Sequence, residues 1–215
     1  DIITLDKEGR LTKVFGGAIA LHPAQIVNKE LSMVQKQELQ TTEKQAIARY
    51  AASLIEPDDC VYLDAGTTTG WMIEYIRQEK ATYITNALSH AKRLADKGFS
   101  VILIGGEPKS STDAIVGGEA VLNLQKYHFS KGFFGVNGVD RLSGFTTPDV
   151  KEAVVKQAAV KNTQPAHRYF LTTSSKFGEV YAVTFAGFEG GTILTEDSIS
   201  EVLPKSIEII NVTQQ

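Results

Sequence analysis

The residues best suited to chemistry are concentrated in one run, Cys60 to Met72, which reads Cys-Val-Tyr-Leu-Asp-Ala-Gly-Thr-Thr-Thr-Gly-Trp-Met. Val61 to Leu63 predict a buried strand, and Gly66 would let the backbone turn closely after it. The three threonines would add hydroxyls beside the unpaired N–H groups that open a helix. A lone Gly-Thr-Thr is more often an ordinary turn with threonine caps, but three threonines after Asp-x-Gly favour a site for a phosphate-sized anion. The candidate anion-binding residues are Gly66, Thr67, Thr68 and Thr69, which follow the strand end at Asp64.

Further polar groups could surround a ligand at this site. Lys176 follows a predicted strand and could place an ammonium at the same sheet edge, although a solvated loop lysine is an equally simple interpretation. Glu152 and Lys156 lie four residues apart on a predicted helix and share a face, where the alternative is a surface ion pair. Asp140 adds a carboxylate. Together these groups supply what a sugar phosphate needs, namely donors for the phosphate and carboxylates and amides for the hydroxyls.

The elements that must position these residues alternate between helix and strand from about residue 41. Thr42 and Gln45 are interpreted as a capping box at the start of the first helix. Such alternation predicts an α/β fold with a doubly wound, mainly parallel sheet, in which ligands bind beyond the carboxyl ends of the strands. The predicted strands are Val61–Leu63, Tyr83–Ile84, Val101–Ile104, Phe133–Val136, Tyr169–Leu171 and Ile193–Leu194.

Composition sets the class of protein. The chain has 215 residues, of which 42% are hydrophobic and 22% charged, as in an ordinary globular protein. A net charge of −3 argues against general polyanion binding by this chain. Cys60 is the single cysteine, so no intramolecular disulfide can form, and we see neither a membrane span nor a signal peptide. We therefore expect a cytoplasmic location.

Several common chemistries lack their signatures. The four histidines, His22, His90, His128 and His167, show no metal-ligand spacing. No glycine pair begins a dinucleotide-binding turn, and neither a Gly-x-Ser-x-Gly elbow nor a Walker lysine motif is present. We expect no metal and no cofactor.

The order and spacing of many short motifs resemble the effector-binding domain of DeoR-type bacterial transcriptional repressors of sugar metabolism. The resemblance covers almost the whole chain. The matching pieces are Gly16-Gly17-Ala18, Glu43-Lys44 with Ile47-Ala48, Leu63-Asp64 with Gly66-Thr67-Thr68, Thr85-Asn86, Gly105-Gly106, Gly117, Gly138-Val139-Asp140 with Gly144, and Ser175-Lys176-Phe177-Gly178.

The resemblance implies a sensor that binds a phosphorylated sugar without turning it over, with a fold similar to ribose-5-phosphate isomerase and glucosamine-6-phosphate deaminase. In that family Asp commonly stands two residues before the Ser-Lys pair, where this chain has Thr173. The run from Asp64 to Thr69 would form the phosphate loop. The residues that would surround the sugar are Thr85, Asn86, Gly105, Asp140, Glu152 and Lys176.

The resemblance also implies a division of the chain. Residues 1–20 would be the end, or wing, of an N-terminal winged helix-turn-helix, residues 21–40 a linker, and residues 41–215 the phosphosugar-binding sensor. Operator DNA would be bound through an N-terminal domain absent from this chain. A homodimer or homotetramer is expected, because palindromic operators are read by dimers.

Two other functions are open at this point. A phosphosugar isomerase or deaminase could use the same pocket, with Asp140 or Glu152 as the general base. A purely structural oligomerisation module would have no need for a polar, glycine-rich strand edge.

Overall fold

A seven-stranded parallel sheet forms the centre of the protein. In the computed structural model, the residues described are 39–199 and 203–214, the segments 11–14, 17–20 and 25–27, and positions 3 and 35. The strands of the sheet are β4 (Cys60–Leu63), β5 (Thr82–Thr85), β6 (Ser100–Leu103), β9 (Lys131–Gly135), β12 (Arg168–Leu171), β15 (Thr192–Thr195) and β16 (Glu208–Asn211). Their order is β16-β15-β12-β9-β4-β5-β6, and every neighbouring pair is parallel.

All six predicted strands are present, and the doubly wound α/β fold is confirmed. The sequence interpretation missed β16. Two of its four residues are exposed because it is an edge strand, so its apolar pattern is weak.

Within residues 39–199, five α-helices connect or flank the strands. The capping box predicted for the first helix is wrong: the helix begins at Thr41, so Thr42 lies inside it, and the residue at its N-cap is Gln40. The helices are α1 (Thr41–Ser53), α2 (Thr67–Tyr75), α3 (Leu88–Asp96), α4 (Gly118–Leu124) and α5 (Val150–Lys161). Short 3₁₀ turns lie at Pro165–His167, Ser174–Lys176 and Val212–Gln214.

The sheet has a separate hydrophobic core on each face. Side chains alternate along a strand, so Tyr62 packs into one core while Val61 and Leu63 pack into the other. The first core includes residues of α4 and α5, and the second includes residues of α1, α2 and α3. Burial on both faces explains why the central strands are nearly continuous apolar runs.

Smaller sheets surround this centre. The strands β10 (Gly138–Asp140), β11 (Gly144–Thr147) and β14 (Val183–Ala186) form an antiparallel sheet, and β7 (Glu107–Lys109) pairs with β8 (Ala114–Val116). Near the start of the chain, β1 (Leu11–Val14) and β2 (Gly17–Ala20) form an antiparallel hairpin. Further on, β3 (Gln25–Ile26) pairs in parallel with β13 (Glu179–Val180). The assignment of residues 1–20 to a wing and of 21–40 to a linker stays a prediction.

None of the helices within the described ranges has the length and apolar character that crossing a membrane requires.

Candidate functional site

A cleft opens beyond the carboxyl ends of three central strands, β4, β9 and β12. The chain leaves β4 toward β5 and β6 on one side, and later returns to build β9 and β12 on the other. The gap between β4 and β9 is therefore the topological switch point of the sheet, where open α/β sheets bind ligands. Two arms of about 570 Å³ and 460 Å³ meet here, and both are lined by Thr67, Thr68, Val136 and Asn137.

The first turn of α2 faces the junction of the two arms. In a helix that begins at Thr67, the first N–H groups have no partner within the helix, and the N–H of Gly70 is bonded to the carbonyl of Gly66 at 2.9 Å. The hydroxyl of Thr69 instead donates to the carbonyl of Asp64 at 2.6 Å, which fixes the loop from behind. The chain bends at residues 65–66 before α2, and Gly66 has φ −168° and ψ 160°, an extended backbone that any residue can adopt, so the bend needs no conformation reserved for glycine.

Asp64 does not face the cleft as a ligand group; it is fully buried and anchors the loop. Its Oδ2 is paired with the Lys156 ammonium and accepts the Gly135 N–H at 3.0 Å. Its Oδ1 has no hydrogen-bond partner among the described residues. Burial raises the pKa of the Asp64 carboxyl, and the adjacent Lys156 and Gly135 N–H oppose this shift without cancelling it.

Glu152 and Lys156 do lie on one face of α5, but they do not form the surface ion pair that was the simpler alternative. Both side chains are buried and line the smaller arm, called the Lys156 arm. Glu152 accepts hydrogen bonds from Lys109 at 2.9 Å and from Thr112 at 2.6 Å. The sequence analysis named Lys156 with Glu152 as a possible ligand group from their i+4 spacing, but did not include it among the residues expected around the sugar.

The larger arm, called the Lys176 arm, lies between the end of β12 and the start of α1. Lys176 lines it and is paired with Glu179 at 3.2 Å. Lys44 of α1 also lines this arm, and its Nζ donates to the carbonyl of Leu39 at 2.7 Å. Sequence reasoning missed Lys44, because nothing in the pattern of α1 indicates that this helix starts beside the cleft.

A family model for the DeoR C terminal sensor domain matches residues 39–198. The chain belongs to the DeoR family. It is 43% identical to the uncharacterized HTH-type transcriptional regulator FruR of Bacillus subtilis (strain 168), over 92% of this chain and 77% of that protein. It is 36% identical to the lactose phosphotransferase system repressor of Staphylococcus aureus (strain N315), over 97% of this chain and 82% of that protein.

Among solved structures, the ribose 5 phosphate isomerase A of Neisseria gonorrhoeae matches with a TM-score of 0.45 and 11% identity. The match covers 62% of this chain and about half, 52%, of that one.

Two residues expected around the sugar support the DeoR sensor's loop and do not line the cleft. Asn86 is buried, accepts from the Tyr62 hydroxyl and the Ala65 N–H, both at 3.0 Å, and donates to the carbonyl of Ile115. Thr85 is also buried and accepts the Ala87 N–H at 3.1 Å. Thr85 is the last residue of β5 and Asn86 follows it, and β5 lies on the opposite side of β4 from β9 and β12.

Two other expected sugar contacts, Gly105 and Asp140, are not brought to the cleft of the DeoR sensor. Gly105 follows β6, two strands away from β4 at the sheet edge, and is exposed. Asp140 belongs to the small antiparallel sheet, where its carboxylate accepts the N–H groups of Leu142 and Ser143 and shapes a turn. Of the predicted sugar residues, the structure brings Glu152 and Lys176 to the cleft.

The charges that line the cleft of the DeoR sensor favour an anion. Three lysines, Lys44, Lys156 and Lys176, line the two arms together with one carboxylate, that of Glu152. Lys156 is paired with Asp64 and Lys176 with Glu179, and all three lysines line the same cleft as the first turn of α2, whose dipole also attracts negative charge. Within the described ranges, no group of three or more His, Cys, Asp or Glu side chains is placed to hold a metal ion.

His90 lies behind the loop formed by Asp64 to Thr69, against α2. A Cβ at position 70 would lie 2.8 Å from His90 Nε2, so Gly70 allows this close packing. The ring is buried, and its Nδ1 has no hydrogen-bond partner among the described residues. Burial, together with repulsion from Arg93, lowers the pKa of His90 to about 4, although Asp113 and a hydrogen bond with the Gly66 backbone oppose the shift.

The variant Lys156→Met should destabilise the protein by roughly 3–5 kcal/mol, because it leaves the Asp64 carboxylate buried without its partner. The double variant with Asp64→Asn should recover part of this loss, since no unpaired charge remains. Urea denaturation at neutral pH measures both, with Lys161→Met at the exposed end of α5 as the control. Equal stability of the single and double variants would contradict the assigned pairing.

His90 should make stability depend on pH between about 4 and 6.5. Its pKa is lower in the folded state, so the unfolded chain binds a proton first as the pH falls. Stability is therefore complete above the unfolded pKa and decreases toward pH 4, by about 3 kcal/mol. In urea denaturation across this range, His90→Gln should show a shallower slope than wild type, whereas the exposed His128→Gln should keep the wild-type slope. Parallel slopes for wild type and His90→Gln would argue against a neutral buried imidazole.

Proposed function

We propose that the cleft binds a phosphorylated sugar, and that its occupancy controls DNA binding by a DeoR-type repressor of a carbohydrate operon. The observation that carries this proposal is the position of the α2 N-terminus. Thr67 and Thr68 line both arms where the Lys156 and Lys176 arms meet, and their N–H groups, at the start of α2, have no partner among the residues that the structure describes. A phosphate held there would meet donors from the helix and ammonium groups on either side.

The rest of the ligand would extend into the two arms. The Lys176 arm offers the Asn137 amide and the Thr173 hydroxyl, and the Lys156 arm offers the Glu152 carboxylate. These groups can donate to or accept from sugar hydroxyls. A charged helix terminus stabilises an anion by only ~0.3–1 kcal/mol, so the lysines and these hydrogen bonds must supply most of the affinity.

The site is better suited to binding than to turnover. Glu152 already accepts hydrogen bonds from Lys109 and Thr112, and the other candidate base, Asp140, shapes a turn in the small sheet. The relatives are named transcriptional regulators and repressors, which also favours a sensor over a phosphosugar isomerase or deaminase.

Control of DNA binding requires a second domain and a second subunit. The hairpin β1–β2 fits the wing of an N-terminal winged helix-turn-helix that would contact operator DNA. Identical subunits would place two such domains on a palindromic operator. The effector would act by population shift, limited by its difference in affinity between the two arrangements of the oligomer.

A panel of sugar phosphates and their unphosphorylated parents tests the proposal by thermal shift. A ligand present at 100 times its dissociation constant stabilises the folded state by about 2.7 kcal/mol, or roughly 5–10 °C in melting temperature. One or more sugar phosphates should reach this shift while the parent sugars do not. Thr67→Asp should abolish the response by placing a like charge against the phosphate, whereas Thr184→Asp, exposed on β14, should retain it.

An undiminished thermal shift in Thr67→Asp would show that the phosphate does not bind at the α2 N-terminus. Steady turnover of ribose-5-phosphate or of an amino sugar phosphate would instead favour the enzyme.

A further inference from the structure

The residues that lead into α1 form one wall of the Lys176 arm. Leu39, Gln40 and Lys44 line this arm opposite Thr173 and Lys176. A ligand there would contact the chain that precedes the sensor helices directly. The inference below rests on the proposed function, because it concerns what the same ligand does to this chain segment.

Gln40 adopts a conformation that is unfavourable for a residue with a Cβ. Its φ of 51° and ψ of 46° lie in the left-handed region, and its side chain makes no cap hydrogen bond to α1. Instead its Oε1 accepts hydrogen bonds from the Thr173 hydroxyl at 2.9 Å and the Ser175 hydroxyl at 3.1 Å. These two bonds hold the start of α1 against the end of β12.

The loop from Thr173 to Val180, called the serine–lysine loop, holds the preceding chain at a second place. Its strand β13 pairs in parallel with β3, and the N–H of Val27 donates to the carbonyl of Val180 at 2.9 Å. Between these two attachments the loop carries Lys176 to the cleft. One short loop therefore contacts both the Lys176 arm and the chain before α1.

We propose that Gln40 is an effector-site residue through which cleft occupancy reaches the chain before α1. The hydroxyl protons of Thr173 and Ser175 are shared between Gln40 Oε1, which lies 2.9 Å and 3.1 Å from the two oxygens, and the contact between the two hydroxyls at 3.2 Å. A phosphate or hydroxyl oxygen of a sugar phosphate in the Lys176 arm competes for these protons. When the ligand takes them, Gln40 loses the bonds that support its left-handed conformation, and the chain before α1 is released from the serine–lysine loop.

Hydrogen–deuterium exchange of residues 25–27 and 39–44 tests this coupling. In the absence of ligand, Gln40→Ala should accelerate exchange at the Val27 amide about fivefold to a hundredfold, as expected for the loss of two ordinary hydrogen bonds. The control Gln157→Ala, exposed on α5, should exchange like wild type. The double variant Thr173→Val with Ser175→Ala removes the donors and leaves Gln40 in place, and it should match Gln40→Ala.

The second part of the experiment adds the sugar phosphate that gives the largest thermal shift in the panel. Its addition to wild type should accelerate exchange in the same residues and should have little further effect in Gln40→Ala. Stabilisation of wild type with unchanged or slower exchange there would overturn the coupling while leaving the proposed function intact. If no sugar phosphate stabilises the protein, the proposed function fails. If ligand-free Gln40→Ala exchanges as slowly as wild type at residues 25–27 and 39–44, the coupling is overturned.

Discussion

The pairing of Asp64 with Lys156 and the Gly135 N–H is the constraint on which the site depends. It joins the ends of two adjacent strands, β4 and β9, to helix α5 at the switch point of the sheet. Because the pair is buried, neither charge can be lost alone without leaving the other uncompensated in the interior. This pairing holds the start of α2, with Thr67 and Thr68, beside the Lys156 arm.

The polar residues around the cleft divide into those that build the loop and those that face solvent in the cleft. Thr69 and Asn86 form hydrogen bonds with the loop after β4 and its neighbours, whereas Thr67 and Thr68 line the cleft. A rigid first group allows the second to present donors in a fixed arrangement before a ligand arrives. Such preorganisation reduces the ordering cost of binding.

Sequence patterns predicted the strands and the helix start after Gly66 because both depend on local order along the chain. The apolar runs, the glycine and the three threonines are adjacent in sequence, and their spacing alone indicates a strand followed by a helix start. The order of strands in the sheet is set by tertiary packing. For this reason the sequence could not show that Asn86 follows a strand on the far side of β4, or that Asp140 enters a separate sheet. Contacts between distant segments, such as Thr173 with Gln40, leave no periodic signal at all.

The proposed binding mode places the phosphate of a sugar phosphate at the first turn of α2. Backbone amide NMR during a titration with the stabilising sugar phosphate tests it most directly, because each N–H reports its own hydrogen bond. If the proposed binding mode is correct, the largest chemical-shift changes fall on the amides of Thr67 and Thr68, and the unphosphorylated parent sugar does not produce them. Binding that leaves these amides unchanged and shifts residues remote from the cleft would contradict it.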